Sequence, residues 1–389
     1  MAFCRAQTNG GLDRKQVVID TSSTRALQQT LNRKKFIYGG LTFLGLLISG
    51  KTMLATKKIP VVTSYTSNPA LTTIKLGWKG TPLDEDGLFM NQEYPWKLDY
   101  AKVLRYILHR NPQKEIKKHD TWRISVLKDD QWLVDSTDKI VWLGHGSFFI
   151  QLSGIRMLTD PVYGKLPVGG RYSDMPVAPD KLLNIDYILV SHDHYDHCDK
   201  DSIRLLSENN PHAKILAGLK LDHLISKWTN NKIQTAGWYQ QYQLDNGLKI
   251  TFLPSRHWAN RTLFDANTTL WGGFMIEKDG KRIYFSGDSA HGYHFNDIGE
   301  LFQNINVALI GVGAYAPAWF MEPMHQNPYD AVKAFHATHA KTFIPFHYGT
   351  FDLSDEPLEE PQQILNKLNA EGRIQNTLRI LKLGEAFYC

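Results

Sequence analysis

Residues Ser191–His197 have the sequence Ser-His-Asp-His-Tyr-Asp-His, which places three histidines and two aspartates within seven positions. This stretch directly follows Tyr187–Val190, an apolar run that predicts a strand. Imidazole and carboxylate groups are ligands for zinc and related divalent ions. In an extended segment the side chains of His192, His194 and Asp196 can point the same way, and the chain can turn back at the next histidine. The run therefore predicts a metal site with enough ligands for two ions.

Three more candidate ligands lie downstream, each just past a predicted strand: His257, Asp288 and His347. Side chains at one edge of a rigid sheet converge well, because the scaffold fixes their relative positions. Each of the three alone would more often be an ordinary residue. Together with the dense run they complete a set of metal ligands, which argues against the alternative of a histidine-rich surface loop.

The apolar pattern around these residues alternates between strand and helix spacing. It predicts a hairpin from 147–152 and 155–159, and helices at 200–208, 218–229 and 327–339. Early hairpins followed by alternating strands and helices are typical of sheets covered by helices. The sequence therefore predicts an α/β fold.

Composition narrows the class of protein. The chain has 389 residues, 42% of them hydrophobic, and a net charge of +5, which is modest for a nucleic-acid-binding protein. Three cysteines (Cys4, Cys198 and Cys389) are too few and too scattered for a disulfide framework. Cys198 lies beside the histidine run, and we interpret it as a small residue near the site rather than a ligand.

The chain divides into four predicted parts. Residues 1–35 form a flexible polar tail, and residues 36–55 form an apolar segment that predicts a membrane anchor or signal-anchor, with a buried helix as the alternative. Basic residues flank this segment on both sides, so its orientation is not fixed. Residues 56–135 form a linker and N-terminal extension, in which 100–110 predicts an amphipathic helix that packs on the main domain or lies on a membrane surface. Residues 136–389 form the catalytic domain.

The pattern His-X-His-X-Asp-His at 192–197, followed in order by His257, Asp288 and His347, resembles the metallo-β-lactamase superfamily. Within that superfamily, five stretches resemble the phospholipases D that hydrolyse N-acylphosphatidylethanolamine. These are Trp142–Ser147, Ser255–Trp258, Phe285–Ser289, Trp319–Met321 with the following His325, and Pro345–Phe351. The resemblance covers residues 90–389 and leaves out the N-terminal tail and apolar segment.

The resemblance implies a four-layer αβ/βα metallo-β-lactamase sandwich with two zinc ions at one sheet edge. By that pattern the first zinc is held by His192, His194 and His257, the second by Asp196, His197 and His347, and Asp288 bridges both. The implied reaction is attack of a metal-bridging hydroxide on phosphorus, which releases phosphatidic acid and an N-acylethanolamine. Asp196, Asp288 and His325 are the implied catalytic residues. His325 would bind substrate or protonate the leaving group, with a surface role beside a helix as the alternative.

Further residues also match family positions. Asp160 is expected to orient a ligand imidazole, and His145 to be structural near the site. The aromatic segment with Tyr315, Trp319, Phe320 and Met321 is equally compatible with an acyl-chain groove and with core packing.

The expected partners are a phospholipid substrate, a membrane surface reached through residues 36–55, and a second copy in a homodimer, but no nucleic acid. Two alternatives remain open. One is a superfamily hydrolase of another ester, lactone or phosphodiester, including RNA, because substrate choice lies in the pocket rather than in the ligands. The other is a non-catalytic, metal-stabilised scaffold.

Overall fold

The structure is a computed structural model that describes residues 59–167, 170–262 and 264–389. The predicted polar tail and the apolar segment 36–55 lie outside the described residues. Within the described ranges, no helix has both the length and the apolar character needed to cross a bilayer.

The described strands, in chain order, are β1 Ser64–Thr66, β2 Thr72–Thr73, β3 Thr81–Leu83, β4 Lys139–Gly144, β5 Ser147–Leu152, β6 Ile155–Thr159, β7 Tyr187–Val190, β8 Lys214–Gly218, β9 Ile233–Ala236, β10 Gln240–Gln241, β11 Lys249–Leu253, β12 Gly273–Lys278, β13 Lys281–Phe285, β14 Val307–Gly311, β15 Thr342–Phe346, β16 Thr377–Leu378 and β17 Ala386–Tyr388. The described α-helices are α1 Tyr100–Leu108, α2 Lys114–His119, α3 Lys200–Asn209, α4 Asp222–Ile225, α5 His294–Leu301, α6 Ala318–Met321, α7 Pro328–Thr338 and α8 Glu360–Ala370.

Two large sheets form the centre of the fold. One has seven strands in the order β17-β4-β5-β6-β7-β8-β9, and the other has eight in the order β16-β15-β14-β13-β12-β11-β10-β2. The hairpin predicted at 147–152 and 155–159 is present as β5 and β6. The helix predicted at 218–229 is wrong in extent, because β8 continues through Gly218 and only α4 is helical. A Cβ on Gly218 would lie 2.3 Å from the carbonyl oxygen of Leu270, so tertiary packing decides this position.

Alternating side chains of the seven-stranded sheet pack into two different apolar cores, one on each face of the sheet. Trp142 and Phe148 point into the layer between the two sheets, while Val141 and Phe149 point outward onto α3 and its neighbours. On the other side, α5, α7 and α8 cover the eight-stranded sheet, and their apolar residues join the inner core. The layers therefore run helix, sheet, sheet, helix.

Residues 59–135 pack against this sandwich. β2 pairs with β10 at one edge of the eight-stranded sheet, and β1 pairs with β3. Asp99 caps α1 by accepting hydrogen bonds from the backbone N–H groups of Ala101 and Lys102, and α1 ends shortly before Pro112. The helix predicted at 100–110 is thus present, and its contacts place it beside residues 351–355.

Parallel pairing sets the position of the candidate site. β6 and β7 are parallel in one sheet, and β13, β14 and β15 are parallel in the other. Their carboxyl ends meet at one edge of the sandwich, and the loops that follow them carry the predicted ligands. Loops at such an edge can vary in sequence while the sheets hold their positions.

Candidate metal centre

The structure brings all seven predicted ligands together in two groups. The first consists of His192, His194, His257 and Asp288, whose candidate ligand atoms all lie within 4.8 Å of one another. The Nδ1 atom of His194 lies 2.9 Å from His192 Nε2 and 3.2 Å from His257 Nε2. Asp288 Oδ2 lies 3.9 Å from His192 Nε2 and 3.7 Å from His257 Nε2. Three imidazoles and one carboxylate thus face a common centre.

The second group consists of Asp196, His197 and His347, together with His145. Asp196 Oδ2 lies 3.6 Å from the Nε2 atoms of both His197 and His347. Asp288 reaches this group as well, with Oδ1 3.2 Å from His197 Nε2 and Oδ2 3.1 Å from His347 Nε2. Asp288 therefore lies between the two groups and contacts both.

Hydrogen bonds on the outer ring nitrogens orient these imidazoles. His257 Nδ1 lies 2.8 Å from the carbonyl oxygen of Met324, which can only accept, so Nδ1 carries the proton and Nε2 faces the site with a lone pair. His197 Nδ1 donates in the same way to Asp160 Oδ2 at 2.7 Å. The orienting contact predicted for Asp160 is therefore present.

Asp160 also acts on the first group through Ser191. The Ser191 hydroxyl donates to Asp160 Oδ2 at 2.6 Å and lies 2.9 Å from His192 Nδ1. The backbone N–H of Ser191 donates to Asp160 Oδ1 at 2.7 Å. One buried carboxylate thus orients a ligand in each group.

The chemistry of the donor set fits divalent metal ions. Both carboxylate oxygens of Asp288 and the Nε2 atoms of His197 and His347 are buried and accept no hydrogen bond from any described residue. Zinc binds nitrogen and oxygen at about 2.1 Å, which places tetrahedral ligands about 3.4 Å apart. The donor separations of 3.1–3.9 Å around Asp288 match that spacing. All seven predicted residues could therefore hold metal, three or four in each group.

The comparisons with known proteins agree with this geometry. Residues 155–348 match the β-lactamase superfamily domain. The chain is 32% identical over 290 residues to N-acyl-phosphatidylethanolamine-hydrolyzing phospholipase D 1 of Caenorhabditis elegans, and the match covers 69% of this chain and 80% of that protein. The chain belongs to the β-lactamase superfamily.

One further sequence relative and one solved structure agree with this assignment. The mitochondrial N-acyl-phosphatidylethanolamine-hydrolyzing phospholipase D of Saccharomyces cerevisiae is 30% identical over 256 residues, and the match covers 63% of this chain and 54% of that protein. A solved metallo hydrolase from Ignicoccus hospitalis aligns with a TM-score of 0.51 at 21% identity, over 64% of this chain and 97% of that chain. The predicted fold class is confirmed, and this superfamily member is a metallo-β-lactamase-fold hydrolase.

Burial lowers the pKa values of the three histidines in the first group. It lowers the pKa of His194 to about 4, although nearby carboxylates oppose the shift. Burial, with neighbouring imidazoles, holds the pKa values of His192 and His257 well below the usual range. All three rings are therefore neutral at pH 7, which is the form that binds metal.

The second group has the opposite balance. Burial alone would lower the pKa of His347, but the carboxylates of Asp288 and Asp196 raise it to about 9. The same carboxylates outweigh burial at His197 and raise its pKa well above the usual value. Burial would raise the pKa values of Asp196 and Asp288, yet the adjacent imidazoles lower both. In the metal-free protein, protons on two histidines balance the two carboxylates.

We expect zinc binding at pH 7 to release about one to two protons, because His197 and His347 must lose theirs to become ligands. The raised pKa of His347 stabilises the metal-free fold fully below about pH 6.5, and this contribution is lost as pH rises through about 9; the raised pKa of His197 acts in the same direction. Zinc affinity should rise over the same window. Calorimetric titration of the apoprotein in two buffers with different ionisation enthalpies measures the release, and identical heats in both buffers would contradict it.

Sequence reasoning missed part of the support around the site. His145, predicted as structural, has its Nε2 2.9 Å from Asp196 Oδ2 and its ring 3.9 Å from the ring of His347. Arg261 was not predicted at all. It donates to the carbonyl oxygens of Asp193 at 2.9 Å and Cys198 at 2.6 Å and so ties together the two ends of the histidine run. Neither contact has a periodic signal in the sequence.

The structure places one residue of the predicted aromatic segment in the interior and leaves the others half-buried, so the acyl-chain groove stays a prediction. Met321 is buried and belongs to the protein interior. Phe320 stacks on Tyr106 of α1 with ring centroids 4.4 Å apart, and Trp319 and Tyr315 are half-buried. His325 follows this segment, and its Nδ1 lies 3.8 Å from Asp288 Oδ2. The segment thus links α1 to the metal centre.

Proposed function

We propose that this chain is a zinc-dependent phosphodiester hydrolase of the phospholipase D type. Its substrates would be N-acylphosphatidylethanolamine-like phospholipids, which it would convert into phosphatidic acid and N-acylethanolamine. The observation that carries the proposal is the pair of donor groups that share Asp288, on a chain that is similar to a nematode N-acyl-phosphatidylethanolamine-hydrolyzing phospholipase D over 69% of this chain and 80% of that protein.

Two zinc ions, when bound, supply an acidified water near neutral pH and positive charge for a phosphodiester. The chain's own residues determine how substrate reaches them. Asp160 and His197 are fully buried and close the inner side of the site. The side chains of Asp196 and His325 keep about one-sixth of their surface exposed, at 16% and 15%. Substrate would therefore approach from the side of these two residues.

Aromatic side chains on one side of the site support a lipid substrate. The ring of Trp258 lies 5.0 Å from that of His194, and the ring of Trp96 lies 5.0 Å from that of Trp258. Phe264, in the loop after these residues, is 76% exposed. Trp96 and Trp258 are half-buried beside the polar centre, and such aromatic rings suit a molecule with a charged head and apolar chains.

His325 is positioned to bind the phosphoryl group. Burial lowers its pKa to about 4, so the neutral ring would donate a hydrogen bond rather than carry a proton to the leaving group. We expect His325→Ala to lower kcat about 10- to 100-fold, since a hydrogen bond to a charged group contributes about 1.5–3 kcal/mol. Bound zinc should stay unchanged by elemental analysis. Loss of zinc in the variant would instead make His325 a ligand.

A substrate panel tests the proposed function. The zinc-loaded full chain is assayed on vesicles that contain N-acylphosphatidylethanolamine, on bis(p-nitrophenyl) phosphate, on a lactone and on RNA. Phosphatidic acid and N-acylethanolamine, identified by mass spectrometry and absent with Asp288→Asn, support it. Turnover of the lactone or RNA without any phospholipid cleavage would overturn the substrate assignment, and binding of zinc without hydrolysis of any substrate would favour a scaffold.

A further inference from the structure

α1 presents an apolar edge to solvent. Leu104 is 42% exposed and Leu108, one turn further along, is 71% exposed. Residues four apart lie on the same face of a helix. Ile116, on the adjacent α2, is 62% exposed. These aliphatic side chains belong to no apolar cluster of the described residues.

The opposite side of these helices is firmly held. Tyr106 stacks on Phe320 with an interplanar angle of 5°. Its hydroxyl lies 3.4 Å from the carbonyl oxygen of Leu353, to which it donates. On α2, Lys117 forms an ion pair with Asp352. The exposed leucines therefore project from a docked element, and their exposure is a feature of its orientation.

Positive charge surrounds the apolar edge. From residue 100 to residue 119 the chain carries one acidic residue, Glu115, and six basic ones: Lys102, Arg105, Arg110, Lys114, Lys117 and Lys118. Three of these, Lys102, Arg110 and Lys114, are exposed and pair with no acid among the described residues. Aliphatic side chains flanked by basic ones are the signature of an element that lies on an anionic bilayer.

The same element borders the metal centre. Leu353, which α1 contacts through Tyr106, packs in a small cluster with Phe351 and Tyr195. In the sequence, Tyr195 lies between the predicted ligands His194 and Asp196. A surface that binds α1 and α2 would therefore lie next to the rim of the site.

We propose that the segment Tyr100–His119 docks on anionic phospholipid bilayers, with Leu104, Leu108 and Ile116 inserted and the exposed basic residues at the headgroups. The proposal deepens the proposed function, since it explains how the site would meet a lipid substrate. A second copy of this chain is a poor occupant, because it would bring two strongly basic segments together. Basic side chains are attracted to an anionic surface, whereas a neutral surface offers no such gain.

Hydrogen exchange tests the docking locally, independently of any anchoring by residues 36–55. The full chain is mixed with phosphatidylcholine vesicles with or without phosphatidylserine, and deuterium uptake is followed in peptides from 100–119. We expect uptake to slow on the order of tenfold with anionic vesicles only. The double variant Leu104→Gln/Leu108→Gln should lose this protection and bind anionic vesicles about 10- to 100-fold more weakly.

The matched control is Val134→Gln/Leu183→Gln, which removes two exposed aliphatic side chains near Arg156, at the amino end of β6. It should keep full protection. Equal uptake with and without anionic vesicles, or protection retained in the leucine double variant, would overturn the proposal. Concentration-dependent protection without vesicles would identify a protein partner instead. Protection without phospholipid cleavage would leave the docking intact and reject only the proposed function.

Discussion

Asp288→Asn is expected to remove nearly all hydrolysis and to reduce bound zinc from the proposed two ions per chain to one or none. Asp288 contacts both donor groups, with oxygens 3.1 and 3.2 Å from His347 and His197 and 3.7 Å from His257. Asparagine has nearly the same shape as aspartate but carries no negative charge. That charge interacts strongly with the surrounding imidazoles because the site is buried. Because both groups lose their shared anion, we expect kcat/KM to fall by about three to four orders of magnitude. Elemental analysis and hydrolysis of bis(p-nitrophenyl) phosphate measure the two effects together.

Asp84→Asn is the matched control for that experiment. Asp84 is also a buried aspartate, but its Oδ1 accepts hydrogen bonds only from the backbone N–H groups of Asp86 and Leu88. An asparagine oxygen can accept both bonds, so zinc content and rate should remain those of the natural protein. If Asp288→Asn retained two zinc ions and normal turnover, the shared carboxylate would not be part of the centre.

The sequence was most informative where chemistry and strand pattern coincide. Strands β5 and β6 were predicted with their observed bounds, because continuous apolar runs end at turn residues there. The donors that follow β7 and β15 converge because the scaffold leaves few other arrangements for loops at one sheet edge. The superfamily and fold could therefore be inferred before any coordinates.

The support around the ligands could not be inferred in the same way. His257 is oriented by the backbone carbonyl of Met324, which is 67 positions away and has no residue-type signal. The backbone of His347 is left-handed, with φ of 69°, and a Cβ at Gly313 would lie 1.9 Å from its carbonyl oxygen. Such a close approach depends on the packed structure, and a non-glycine residue with positive φ is itself uncommon. Long-range contacts of this kind require the fold.

The role of α1 also depends on where the fold places it. Its amphipathic pattern predicted a helix but allowed two roles, one on the main domain and one on a membrane. In the structure one face packs on Phe320 and Leu353, while Leu104 and Leu108 remain outside. Packing on the domain is therefore confirmed, and it orients the second face outward; the membrane role of that face stays a proposal.

Asp160→Asn is expected to weaken zinc binding about 10- to 100-fold and to lower activity at subsaturating zinc by a similar factor, although Asp160 is not a predicted ligand. Asp160 accepts three hydrogen bonds, from the Ser191 N–H, the Ser191 hydroxyl and His197 Nδ1. An asparagine has one oxygen for these donors. If that oxygen keeps the Ser191 N–H, the amide NH₂ faces His197 Nδ1 and forces the proposed ligand to carry its proton on Nε2, where metal must bind.

Competition with a chromophoric zinc chelator would measure the affinity, and activity recovered at high zinc would show that the fold survives. Asp199→Asn provides the matched control near the same histidine run. Asp199 caps α3 by accepting bonds from the N–H and hydroxyl of Ser202, and asparagine is an equally good capping residue. Unchanged zinc affinity in Asp160→Asn would mean that the tautomer of His197 is set by the metal itself. In that case the buried carboxylate would serve the fold alone, and the centre would need no orienting residue beneath it.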